Sequence, residues 1–256
     1  MSDTRQLEKA ERFRALHEGE TFVIPNPWDA GSARDLADLG FEALATTSSG
    51  FAHSIGLTDG EVSLAQLAEH ATALDAVTEL PVSVDMENGF GPRPEDAAGA
   101  VARIAAAGAV GGSIEDWDRD EGRLYELDHA LERVMAAVEA ARALDFPFTL
   151  TARAENHIRD NPDLDDTIAR LQAYERAGAD VVYAPGLDLE GVRALRAETS
   201  AAINVLALPA MTVAAVADAG GQRISVGGAL AWVGYRAAKR AARRISEDGD
   251  LSALAG

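Results

Sequence analysis

Asp85 and Glu87 stand one residue apart at the end of the mostly apolar run 81–84, and Gly89 and Gly91 follow them. Two carboxylates at a strand end, leading into a flexible turn, suit either a solvated terminus or one wall of a metal site. Strand alternation would put Asp85 and Glu87 on one face, with Val84 and Met86 on the other. In the run 109–115, Ser113 and Glu115 likewise share a face. On adjacent strands, Asp85, Glu87 and Glu115 could converge. Like charges held close need a cation or shared protons. The chain has no cysteine and 5 histidines, so the hard oxygen donors point to Mg²⁺, with Mn²⁺ as the alternative. Magnesium usually keeps several waters, so only one of these acids need touch it.

Arg153 lies in a stretch, 148–155, that is otherwise apolar or neutral up to Glu155. Its partner could be Glu155 or Glu115. It could also be a substrate carboxylate or phosphonate, gripped by two parallel hydrogen bonds. Thr47, Ser48 and Ser49 offer hydroxyls and amides that could cradle an anion or simply make a turn. Asp59 follows in a loop close by in sequence. His17, His70 and His129 fall in helical, surface-like contexts and read as structural, whereas His53 and His157 fall in loops that could reach a site. The signatures of zinc proteases, nucleophile elbows and phosphate-binding loops are absent.

These residues need a scaffold, and the sequence punctuates one. Four times a helical pattern ends in glycine (Gly40, Gly108, Gly178, Gly220) and a short apolar strand follows. Four further strands fit at 21–25, 81–87, 148–155 and 203–209. Between them lie amphipathic segments. Ala97, Val101, Ile104 and Ala105 share one face, with Pro94 in the first turn, and Leu131, Val134, Met135 and Val138 repeat the pattern. Eight strands spaced about 20 to 40 residues apart predict a (β/α)8 TIM barrel spanning residues 1–256 as a single domain, preceded by an extra N-terminal helix. An open doubly wound sheet is the alternative, but no G-x-G-x-x-G follows the first strand. In a barrel the chemistry sits at the C-terminal strand ends, where Asp85, Glu115 and Arg153 all fall.

Bulk properties narrow the partners. The net charge of −19 disfavours phosphate backbones, so no nucleic-acid partner is expected. No run of about 18 apolar residues occurs, and the charged N-terminus lacks a signal-peptide core. A cytoplasmic protein with no membrane partner is expected. The basic run Arg236, Lys239, Arg240, Arg243 and Arg244 reads as a helix face against acidic neighbours, in this or another subunit.

The segments NPWDAGSA, TTSSGF with GLTDG, VDMENGFG, GGSIED and TARAE, in this order and spacing over about residues 20–245, resemble the isocitrate lyase / phosphoenolpyruvate mutase superfamily. The resemblance implies a barrel whose last helix is swapped between subunits, within a homotetramer. It implies Mg²⁺, a small carboxylate substrate, and formation or cleavage of C–C or P–C bonds through a stabilised enolate. By position, Asp85 resembles the direct metal ligand, and Asp59, Glu87 and Glu115 resemble acids acting through water. Arg153 resembles the substrate clamp, and Thr47, Ser48 and Ser49 the carboxylate-binding loop. Catalytic roles then fall to Arg153, Glu115 and Asp59.

The departures decide the reaction. The family's C–C lyases carry a cysteine-containing loop after the fourth strand, and the mutases and phosphonopyruvate hydrolases carry lysine, asparagine and threonine there, with a histidine after strand six. Residues 117–127 contain none of these types, and strand six leads into Ala184, Pro185 and Gly186. Arg119, Arg123 and Tyr125 are what the loop offers instead. The expected function is a Mg²⁺-dependent lyase cleaving or decarboxylating a small 2-oxo or 2-hydroxy acid. A phosphonopyruvate hydrolase or mutase, and a non-catalytic 2-oxo acid-binding barrel, are the alternatives.

Overall fold

The computed structural model describes residues 4–255. Eight parallel strands form one sheet: β1 (Phe22–Ile24), β2 (Leu44–Ala45), β3 (Val82–Asp85), β4 (Gly111–Glu115), β7 (Thr149–Arg153), β8 (Val181–Tyr183), β9 (Ala202–Leu206) and β10 (Arg223–Ser225). Their order, β1-β10-β9-β8-β7-β4-β3-β2, is chain order read around a ring. The seam is nearly closed, because Ala45 N donates to Pro25 O at 3.1 Å and Asn26 Nδ2 donates to Thr46 O at 2.9 Å. This is the expected (β/α)8 barrel. The remaining two strands, β5 (Trp117–Asp118) and β6 (Arg123–Leu124), make a small antiparallel hairpin beyond β4.

Helices α2 (Ala30–Asp38), α4 (Leu64–Asp75), α5 (Pro94–Ala105), α6 (Leu127–Arg142), α7 (Leu164–Arg176), α8 (Leu189–Glu198) and α9 (Val213–Asp218) alternate with the strands. Their starts are set chemically. Asp29, Ser63, Asp163, Asp188 and Thr212 each accept a backbone N–H in the first turn. Their ends are set by the predicted glycines: Gly40, Gly108, Gly178 and Gly220 take φ of 86°, 100°, 103° and 92°, a region closed to most side chains. The α5 face is buried as predicted. The α6 face is rotated. Met135 is 54% exposed, while Ala130, Arg133, Val134, Ala137 and Ala141 are buried. Arg133 draws the helix round by donating to the carbonyls of Gly91, Arg93 and Asn88.

The extra helix is α1 (Thr4–Leu16). It caps the N-terminal end of the barrel. Phe13 is fully buried, and a Cβ on Gly111 would come within 2.6 Å of its ring. Lys9, buried, anchors the helix through Asp75 at 2.6 Å. At the other extreme, α10 (Ala229–Asp248) spans 20 residues but buries only Ala231. Its basic residues, Arg236 to Arg244, are exposed.

Candidate active site

The C-terminal strand ends surround a cavity of about 170 Å³. Asp85, Arg153, Ser83 and Ser113 line one side, and Thr46, Thr47, Ser48 and Ser49 another. Thr47, Ser48 and Ser49, expected in a loop, instead form a helix start beside this cavity. Thr47 caps α3 (Ser48–Ser54), with its hydroxyl accepting from Gly50 N. The loop is packed tightly against the last helix, since a Cβ on Gly228 would lie 2.6 Å from Ser49 Oγ and 2.8 Å from Trp232 Nε1. Gly228→Ala should push Ser49 off its position. We expect a higher KM, or weaker oxalate binding, with a stability loss of about 1–3 kcal/mol. Unchanged oxalate binding by calorimetry would show that Ser49 does not contact the ligand.

Arg153 sits at the centre of the charge. Its guanidinium is 2.9 Å from Asp85 Oδ1, 2.7 Å from Glu155 Oε1 and 3.2 Å from Glu115 Oε2. Parallel pairing of β4 with β7 puts Glu115 and Arg153 in register, and that of β3 with β4 sets Asp85 beside Ser113. Burial alone would lower the Arg153 pKa, but Glu155, Asp85 and Glu115 outweigh it and hold it well above its usual value. Asp85 is held from below as well, its backbone N–H donating to Thr46 Oγ1 at 2.8 Å.

Glu87 does not follow the strand. β3 ends at Asp85, and Glu87 takes φ of 50°, so its direction is set by the turn rather than by alternation. It is 4% exposed and hydrogen-bonded to Arg119 of the hairpin loop, whose Nη1 also donates to Gly60 O at 2.7 Å. Burial, reinforced by the Asp85 charge, pushes the Glu87 pKa up to about 7. Burial and the Glu155 charge likewise push Glu115 well up, against the pull of Arg153.

Glu87 carries a stability signature. A raised folded-state pKa stabilises below the unfolded value near 4.5 and stops doing so as pH passes the folded value near 7. Glu87→Gln should therefore gain on the wild type between those limits, by up to about 3 kcal/mol. Thermal melts of the metal-free protein across this range check it, and a constant difference would contradict it.

Among the described residues, no three His, Cys, Asp or Glu side chains already form a closed ligand cage. The donors nonetheless fit a hard cation. Asp85, Glu87 and Glu115 all offer oxygen donors, and the two glutamates resist ionisation, which a divalent ion would relieve. Asp59 is exposed on the rim and acts on Glu87 only through its charge.

Of the hairpin candidates, only Arg119 reaches the acids. Arg123 is exposed and faces Glu126 at 3.9 Å, and the buried Tyr125 lies under Arg133 at 4.6 Å, away from the cavity. His53 is in α3, not a loop, and packs with Trp232 and Tyr235. His157 faces a neighbouring surface pocket with Leu187 and Asp188. His70 is buried and stacked on Phe51, so its expected surface context is wrong while its structural role holds.

Several site residues escaped the sequence reading. Arg159 lies 3.2 Å from Glu155 Oε2 and 3.7 Å from Glu115 Oε1, with its guanidinium over the Trp117 ring at 4.5 Å. Its spacing of four from Glu155 was the available signal. Asp116, also buried, accepts from Glu155 N at 2.9 Å, Tyr174 Oη at 2.7 Å and Arg170 Nη1 at 3.1 Å, which fixes the strand end that carries Glu155.

A family model described as phosphoenolpyruvate phosphomutase matches residues 13–246. The chain belongs to the phosphoenolpyruvate phosphomutase family. Within its wider superfamily, it is 28% identical to the 2-methylisocitrate lyase of Halalkalibacterium halodurans, over 97% of this chain and 85% of that one. It is 29% identical to an oxaloacetate decarboxylase of Bradyrhizobium diazoefficiens, over 73% and 67% respectively. A crystal structure of a Burkholderia cenocepacia protein, described provisionally as a lyase/mutase, superposes with a TM-score of 0.96 at 48% identity, over 99% of this chain and 93% of that one. The barrel seen here is thus shared with a protein described provisionally as a lyase/mutase.

Proposed function

We propose that the protein is a Mg²⁺-dependent lyase that cleaves or decarboxylates a small 2-oxo or 2-hydroxy carboxylic acid, with Mn²⁺ as the alternative ion. The observation that carries this reading is the cavity edge where Asp85 and Arg153 meet, 2.9 Å apart, backed by Glu87 and Glu115. The similarity to a 2-methylisocitrate lyase and to an oxaloacetate decarboxylase supports C–C chemistry. Asp85 would hold the ion directly, with Glu87, Glu115 and Asp59 behind it. When bound, such an ion supplies Lewis-acid polarisation of a carbonyl oxygen.

The chain's own groups do the rest. Arg153 brings a fixed positive charge to the cavity wall, positioned by three carboxylates so that it needs no reorganisation as negative charge develops on the substrate. Thr47, Ser48 and Ser49 offer hydroxyl and amide donors to the substrate carboxylate from the opposite wall. Arg119 closes the acid side by bridging the hairpin to Gly60 and Glu87, which limits water there. The exposed α10, with Val233 56% exposed, supports a swapped helix that packs on a second copy within a homotetramer.

Calorimetry with oxalate tests the reading. Oxalate should bind the wild type in the presence of Mg²⁺ and not in EDTA. Equal binding in both would remove the cation from the account.

A further inference from the structure

The barrel holds a second guanidinium that the chemistry above does not use. Arg223 opens β10 with its side chain inside the barrel and is 5% exposed. Its Nε donates to Asn204 Oδ1 at 2.7 Å, and its Nη2 to Thr151 Oγ1 at 2.9 Å. Its Nη1 lies 3.2 Å from His17 Nε2. The His17 Nδ1 faces Phe13 O at 2.8 Å, and a carbonyl can only accept, so Nδ1 carries the proton and Nε2 accepts from Arg223. Burial pushes the His17 pKa down to about 3, so the ring is neutral.

Every partner of Arg223 is therefore uncharged. Among the described residues, no carboxylate lies within 4.0 Å of it, whereas Arg153 has three and Arg170 two. Arg133, also buried without a carboxylate, spends its donors on three backbone carbonyls and does not line the cavity. Arg223 makes three hydrogen bonds, all to side chains, with five N–H groups, which leaves two without a partner among the described residues. Burial pushes its pKa down to about 10, still high enough to keep the charge at neutral pH. Buried charges are normally paired, so a counter-anion is the missing element.

The cavity supplies the place for one. Arg223 lines it together with Asn204, Ser225 and Tyr183. Arg223 precedes Ser225 by two residues on the same inward face, which sets it about 7 Å deeper than the mouth. Asn204 Nδ2 donates to Ser225 Oγ at 3.0 Å, and burial raises the Tyr183 pKa to about 12, so its phenol stays protonated. Arg223 is thus a fixed cation among neutral polar groups, lining the same cavity as Asp85 and Arg153.

We propose that Arg223 is a floor subsite for a second carboxylate of the ligand. The protein then selects small diacids, one acid group at the mouth with Thr47 to Ser49 and the other on the Arg223 fork. The mouth end of this assignment rests on the reading given above; the floor end rests on Arg223 alone.

Calorimetry in chloride-free buffer with Mg²⁺ tests it. The probes are malate against 2-hydroxybutyrate, 2-oxoglutarate against 2-oxovalerate, and oxalate, which is too short to reach the floor. The wild type should prefer each diacid over its matched monoacid by about tenfold or more, the size of one charge-assisted contact. Arg223→Met should bring that ratio to about one while oxalate binding is unchanged, and Arg223→Lys should keep part of it. A wild type without the preference overturns the proposal, and this arm needs no variant to fold. Retention of the full ratio by a folded Arg223→Met protein also overturns it. An inorganic anion as the true occupant would appear as chloride stabilisation of the wild type, absent in Arg223→Met, with no diacid preference, and it too rejects the diacid subsite. Diacid preference without turnover would sink the lyase reading and leave the subsite standing; turnover without the preference would do the reverse.

Discussion

If Asp85 holds the proposed ion, Asp85→Ala should abolish cation-dependent turnover, lowering kcat/KM by at least about 10³-fold, because several kcal/mol of transition-state stabilisation would run through that ion. The fold should survive. Arg153 keeps Glu115 and Glu155 as partners, and removing one acid from a crowded cluster relieves repulsion. Stability within about 1 kcal/mol of the wild type is expected. Steady-state kinetics with thermal melts on the same samples separate the two effects. An active Asp85→Ala protein would mean that the acid cluster is only a solvated strand end.

The second large effect concerns Arg153. Arg153→Met removes the cation that, among the described residues, bonds Asp85, Glu115 and Glu155 together, with its side chain only 11% exposed. Breaking a buried ion pair from one side costs about 3–5 kcal/mol. The loss has a pH signature. Burial already holds the Glu115 pKa well up, and without the pull of Arg153 it should rise further. The deficit should shrink as pH falls and Glu115 protonates, and grow as pH rises. Arg153→Lys should recover part of the stability, since it restores the charge, but little turnover, since one ammonium cannot hold the fork geometry. Denaturant melts at several pH values read this directly. A pH-independent deficit would mean that Arg153 contributes packing rather than charge.

The fold was legible because its signals are local. Glycine at 40, 108, 178 and 220 ends a helix wherever the chain must turn left-handed into a strand, and that requirement is written in one residue. Asp85, Glu115 and Arg153 were legible for the same reason: each closes a short inward strand, and parallel register then brings them together. What failed depended on distant partners. Periodicity placed Met135 in the α6 core and could not foresee Arg133, whose burial is stabilised by carbonyls about 40 residues upstream. Glu87 was read as a strand residue because its left-handed turn has no glycine to announce it. Arg223 carries no local signal of its role, since its partners His17, Thr151 and Asn204 come from three other segments of the chain. Nothing in the composition of the 117–127 segment singled out Arg119 over Arg123; only the turn after β5, where Arg119 sits, brings it to Glu87.

The proposed activity is cation-dependent lysis of a small 2-oxo or 2-hydroxy acid. The most direct measurement is turnover followed by carbon and phosphorus NMR, with oxaloacetate, 2-methylisocitrate and phosphonopyruvate offered in parallel, with Mg²⁺ and with EDTA. The account predicts C–C cleavage of at least one carbon acid that requires Mg²⁺ and Asp85, with phosphonopyruvate untouched. Release of phosphate from phosphonopyruvate, or binding of the carbon acids with no turnover in any condition, would contradict it.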